Sequence, residues 1–227
     1  LKKNGNLTQA IERFREFIRT FPQNARAGEA WLEVADAYNL RGDPALALET
    51  YAEFARQQPQ SPLAPRALWL AAVLRATNDD LEGAAAAFRD LVSRYPQAED
   101  APEALFRAGL LDYRRAEYQP ARTTWQSLIE RYPSHQSATA GRYWLGKAWL
   151  ALGDRERATE AFRAAYQWAP GNYYGLRAAE MLEGVTARLS GSPTEPLYDL
   201  PGSQTETEAW LLSWLGRTDV TSPSSLS

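Results

Sequence analysis

The first residues in this chain that could carry chemistry are paired acids. Asp79-Asp80, Glu99-Asp100 and Asp154/Glu156 each bring two carboxyl groups together. Cleavage of a glycosidic bond needs such a pair held across the scissile bond, one member with a raised pKa. All three pairs fall where a helix is predicted to begin. There, acids act as N-caps and complement the helix dipole, and they are read as caps. His135 is the sole histidine. With no second ligand type around it no metal site is predicted, and no Ser/His/Asp set can be assembled on it. The chain has no cysteine, so a thiol nucleophile, a disulfide framework and a thiolate metal site are excluded. No Gly-rich phosphate loop occurs. The expectation is a chain that is not an enzyme and has no catalytic residue, cofactor or metal.

A second set of residues could bind rather than react. Leu32, Trp69, Phe106 and Tyr143 recur at a spacing of 37. Beside them stand Glu33, Asp36 and Asn39, then Arg66 and Val73, then Arg107, Leu110 and Tyr113, then Trp144 and Lys147. Rings with Arg and Asn nearby can stack sugar rings or grip an extended peptide. The same rings can instead pack between neighbouring helices. The acidic end (Glu33, Asp36) and the basic end (Arg107, Lys147) would give a bound chain a direction.

The elements that must position these residues follow from one repeat. Proline recurs at Pro22, Pro59, Pro96, Pro133 and Pro170. Eight residues before each stands a ring: Phe14, Tyr51, Phe88, Trp125, Phe162. Four before that stands Ala10, Ala47, Ala84, Ala121 or Ala158, and a further alanine column is Ala27, Ala64, Ala101, Ala138. Alanine and ring four apart share a helix face, the small residue admitting a neighbour and the ring filling the space beside it. Proline then ends the helix. Asn6, Asp43, Asp80, Glu117 and Asp154 precede one helix set, all but Glu117 good N-caps. Asn24, Ser61, His135 and Asn172 share the cap column of the other set. The spacing predicts helices over 7–20, 25–41, 44–58, 63–77, 81–94, 101–115, 118–131, 137–152, 155–168 and 172–189, with native sequence continuing upstream of the first. Residues 190–203 read as a linker, 204–217 as an amphipathic helix with Trp210 and Trp214 on one stripe, and 218–227 as a disordered tail.

Composition agrees with a folded helical chain: 44% hydrophobic and 23% charged residues. A net charge of −3 gives no case for nucleic acid. No apolar run is long enough to span a membrane.

Trp31-x2-Val34-Ala35-x2-Tyr38, followed by Ala47-x3-Tyr51 and Pro59, resembles the tetratricopeptide repeat, and Leu145, Gly146, Trp149, Ala158, Phe162 and Pro170 repeat the pattern. The resemblance implies an all-α, right-handed α-solenoid over residues 1–189 with a C-terminal helical appendage. It also implies that the first helix of each hairpin lines a concave groove, which would contain Leu32, Asp36, Asn39, Trp69, Phe106, Arg107, Tyr113, Tyr143, Trp144 and Lys147. The family usually has a period of about 34. Here the extra residues fall after the proline, as in units of bacterial cell-envelope proteins, which implies a periplasmic or extracellular location. Asn172-Tyr173-Tyr174-Gly175-Leu176-Arg177-Ala178-Ala179-Glu180-Met181-Leu182 resembles the helix closing the superhelical domain of soluble lytic murein transglycosylases. That family's catalytic Glu-Ser and Gly-Leu-Met-Gln stretches are absent. The resemblance implies a non-catalytic scaffold domain that positions a peptidoglycan glycan strand or a downstream catalytic domain, with Trp210 and Trp214 as an interdomain contact. A protein- or peptide-binding adaptor of the cell envelope is the other reading.

Overall fold

A computed structural model of the protein describes residues 6–189, with side chains as far as Gly184. The linker, the Trp210/Trp214 helix and the tail expected beyond residue 189 lie outside the described residues. Ten α-helices fill the described part: α1 (Leu7–Thr20), α2 (Ala27–Arg41), α3 (Pro44–Gln57), α4 (Ala64–Thr77), α5 (Leu81–Arg94), α6 (Ala101–Arg114), α7 (Tyr118–Arg131), α8 (Gln136–Ala151), α9 (Arg155–Trp168) and α10 (Tyr173–Leu189). Each packs on the next in sequence, and no strand occurs among the described residues. The architecture is an α-solenoid of helical hairpins. Helices α2, α4, α6, α8 and α10 are called A-type, the others B-type.

The repeat columns act as expected. Ala10, Ala47, Ala84, Ala121 and Ala158 are all fully buried, as are the rings Phe88, Trp125 and Phe162, with Tyr51 close to it. Phe14 is half-buried. Fit between hairpin partners is tight. A Cβ on Gly109 would stand 2.4 Å from Nε1 of Trp125, and one on Gly146 2.6 Å from the Phe162 ring. Glycine is therefore required opposite Trp125 and Phe162.

Helix ends repeat to the hydrogen bond. Within hairpins the A-type helix closes with a 6→1 bond: Asp43, Asp80, Glu117 and Asp154 donate N–H to the carbonyls of Tyr38, Arg75, Asp112 and Trp149 at 2.9–3.0 Å. That closure puts one residue in the left-handed region, and Gly42, Asp79, Ala116 and Gly153 take it with φ of 92°, 63°, 61° and 83°. Between hairpins the residues after each proline are not slack. The amides of Asn24, Ser61, Ala98 and His135 donate to the carbonyls three residues back, and those of Ala27, Ala64, Ala101 and Ala138 repeat the step. The extra length of the period is thus a built double turn.

Caps match in part. Asn6, Asp80 and Asp154 accept from the amides of Gln9, Gly83 and Arg157. Asp43 stands at the N-cap but turns its carboxylate to Arg41. In the other set Asn24 and Ser61 accept from the amides of Arg26 and Leu63, so α2 and α4 begin after the turn, at 27 and 64. His135 caps α8 through Nδ1, 3.2 Å from the Ser137 amide.

Helix α10 departs from the residue columns of α8. Where α8 carries Tyr143 and Gly146, α10 carries Glu180 and Glu183, both exposed.

Candidate functional site

On α2, Leu32, Asp36 and Asn39 follow one another at i, i+4 and i+7 and share a face. Leu32 is half-buried and Asn39 exposed. Asp36 accepts a 2.6 Å hydrogen bond from the Tyr51 hydroxyl of α3. Burial, then the Asp36 carboxylate beside it, pushes the Tyr51 phenol far above its ordinary value, so it stays a donor.

The rings of the recurring column are largely buried. Trp69, Phe106, Tyr143 and Trp144 are 8%, 2%, 7% and 7% exposed. Each has ring or cation neighbours on adjoining helices. Trp69 meets Phe88 edge-on at 5.1 Å and is covered by the Arg107 guanidinium, 4.6 Å from its centroid. Tyr113 and Trp144 pack on each other and both pack on Trp125. The cover over the rest comes from α10: the Tyr174 ring lies 5.8 Å from Tyr143 and 6.4 Å from Phe106. Each ring contact of this kind adds about 0.5–1.5 kcal/mol to the burial itself. The Tyr113 and Tyr174 phenols are both pushed up to about 12, chiefly by burial.

The cations of the predicted set stand among these rings. Burial pulls the Arg107 guanidinium down to about 10, and Glu103, 3.5 Å away, opposes that shift. Burial first, then the Arg177 charge, pulls Lys147 below its ordinary value. Arg177 itself lies 2.6 Å from Glu180. The structure therefore brings Trp69 and Arg107 together, and Tyr113, Tyr143 and Trp144 together, while Leu32, Asp36 and Asn39 form a separate group on α2. Trp210 and Trp214 lie outside the described residues.

Three features escaped sequence reading. Tyr174 reaches across to α6 and α8, which only the curvature of the stack brings near. Asp112 is a buried acid, 1% exposed, with Arg89 at 2.6 Å and Arg115 at 3.7 Å. Burial raises its carboxyl and the two guanidiniums oppose the rise, an ion-pair arrangement rather than an acid–base pair. Its signal was the column Tyr38, Arg75, Asp112, Trp149. The third is a groove beside Trp149. Among the described residues no group of three His, Cys, Asp or Glu could hold a metal, and no helix is long and apolar enough to cross a membrane.

Comparison with known proteins agrees with this architecture. Family models described as tetratricopeptide repeat match residues 1–62 and 42–99, 103–135, and 140–172. No curated protein matches the chain. Among solved structures, a double mutant of MamA RS-1 is similar at 18% identity and a TM-score of 0.53, covering 85% of this chain and 97% of that one. A Podosopora anserina putative kinesin light chain with nearly identical TPR-like repeats is similar at 14% identity and 0.51, covering 86% and 95%. YrrB, described as a TPR protein with an unusual peptide-binding site, is similar at 16% identity and 0.50, covering 79% and 87%. At these identities the likeness shows the fold.

Proposed function

The chain belongs to the tetratricopeptide-repeat family, and from that premise we propose that it is a non-catalytic interaction scaffold whose A-type helices bind an extended segment of a partner protein. The observation that carries this reading is the graded charge along one helix set. Asp36 and Asn39 stand on α2, Arg107 with Glu103 beside it on α6, and Lys147 on α8, next to a floor of buried rings. A floor of packed aromatics loses little entropy on binding, so the charges are held before the ligand arrives. The peptide-binding site ascribed to YrrB is a precedent on the same fold. The gradient would orient a partner with its basic part toward α2 and its acidic part toward α8. Selection of peptides from a displayed library tests this: binders should lose affinity when Asp36→Lys and Lys147→Glu are combined. Binders indifferent to both reversals would sink it.

A second reading rests on the α10 motif. Tyr173 and Leu176 on it are 67% and 54% exposed. Its likeness to the closing helix of lytic transglycosylase superhelical domains supports a cell-envelope scaffold that positions peptidoglycan or a catalytic domain. A Glu-Ser motif encoded downstream in the parent frame, together with a Trp fluorescence response to muropeptides, would favour it. Absence of both would remove it.

A further inference from the structure

The seam between successive B-type helices changes character along the chain. Beside α6, Asp112 neutralises Arg89 and Arg115 from inside the fold. Thirty-seven residues on, α8 places Trp149 at the equivalent position. Arg122 of α7 and Arg157 of α9 each lie over that ring, 4.8 Å from its centroid. Arg122 gives its hydrogen bonds to the amide oxygens of Gln119 and Gln126, neither of which carries a charge. Arg157 has Asp154 at 3.5 Å, a solvent-exposed contact of little strength.

A groove of about 530 Å³ opens here, lined by Leu145, Trp149, Ala161 and Ala164 between the two arginines. On α9 it is lined by Ala164, at the position where earlier B-type helices carry Glu53, Asp90 and Ser127. Glu160 also lines it, and Asp154 stands beside Arg157, so Arg122 is the arginine of the lining whose hydrogen bonds go to no acid.

We propose that this groove is a second docking surface, fitted to an acidic–apolar segment of a partner protein. A partner carboxylate takes, between Arg122 and Arg157, the part that Asp112 plays for Arg89 and Arg115. Apolar side chains next to it cover Leu145, Ala161 and Ala164. Guanidinium–carboxylate bonds are the strong, charge-assisted kind, and the volume suits a few side chains. The arginines stand on the B-type helices α7 and α9, and Leu145 and Trp149 come from A-type α8; none of Asp36, Asn39, Arg107 and Lys147 lines the groove, so substitutions can test this site and the A-type surface separately.

The test is fluorescence anisotropy with a fluorescein-labelled helical peptide of Glu, Leu and Ala, about four turns long. Its counterpart has every Glu replaced by Lys, and both are titrated with the full 227-residue chain. The acidic peptide should bind at least about ten-fold tighter than the basic one. Arg122→Glu, and separately Ala164→Phe at an exposed position, should each weaken it about ten-fold with an unchanged helical spectrum. Added salt should weaken it further. No binding, equal binding of both peptides, or binding indifferent to both substitutions overturns the proposal. So does a ten-fold gain on Glu206→Lys with Glu208→Lys, because the chain's own acidic segment would then be the occupant.

Discussion

The two ends of this stack use the same beat to build different interiors. In α1–α4 the core is divided. One small cluster joins Ile11, Val34 and Ala37, and another surrounds Trp31, Tyr51 and Phe54. Aromatic contacts there come as isolated pairs such as Trp31 on Phe54 at 6.1 Å. From α6 to α10 the core is continuous, and Tyr113, Trp125, Tyr143, Trp144 and Tyr174 form a linked chain of rings. Repeats stabilise one another through neighbours, so the continuous end should open last and the divided end first. The lesson is that the period sets where helices go, while the residues between the columns set how firmly they are joined.

The largest effect should come from the linked end. Trp125→Ala removes a fully buried ring and its 3.2 Å bond to the Phe106 carbonyl. A loss of about 3–5 kcal/mol in urea unfolding is expected. Phe14→Ala, at the same column in the divided end, should cost clearly less, and amide exchange should show α1 opening ahead of α7. Equal costs would erase the distinction drawn here.

Next is Tyr51→Phe, which removes the donor that Asp36 uses. A loss of about 1–2 kcal/mol is expected by thermal unfolding, because the 2.6 Å hydrogen bond to the half-buried carboxylate is lost. Lys147→Met should move the other way and raise the melting temperature, since burial and Arg177 disfavour the charged amine. The sign follows from linkage. A lysine whose folded value is lowered is protonated more in the unfolded chain, so stability rises with pH on approaching the ordinary lysine value, and the Met variant loses that rise. The same variant should weaken peptide binding if the A-type surface is the site.

The hairpin turns sharpen the comparison at smaller scale. Ala116→Gly relieves a left-handed residue and should stabilise by about 0.5–1 kcal/mol, whereas Gly42→Ala should destabilise by about 1 kcal/mol. Smallest is the pH effect of Asp80. Arg75, then the Gly83 amide, hold its carboxyl below the ordinary range. A depressed carboxylate supports the fold above about pH 4 and loses that support as pH falls through its folded value. Asp80→Asn should therefore flatten the acid limb slightly in pH-dependent melts.

Much of the fold was legible because its signals are local. The second-helix ends at Pro59, Pro96 and Pro133 and the starts at Asp80 and Asp154 lie within a turn of the backbone groups they satisfy. The predicted helices 81–94, 118–131 and 155–168 coincide with α5, α7 and α9. The site was less legible. Trp69, Phe106 and Tyr143 share a phase with Leu32, but phase gives a direction on one helix and not what stands opposite. Tyr174 covers the rings from a helix that begins 67 residues after Phe106. The column Gly42, Asp79, Ala116, Gly153 hid because only two of its four members are glycine.

The sequence by itself determined the number, order and ends of the described helices, because caps, prolines and the alanine–ring face act over a few residues. Tertiary structure alone decided how deeply the ring column is buried, and that Arg122 and Arg157 converge on Trp149. Those outcomes depend on how far each hairpin turns against the next, a packing angle set by many contacts at once and written in no single stretch of chain.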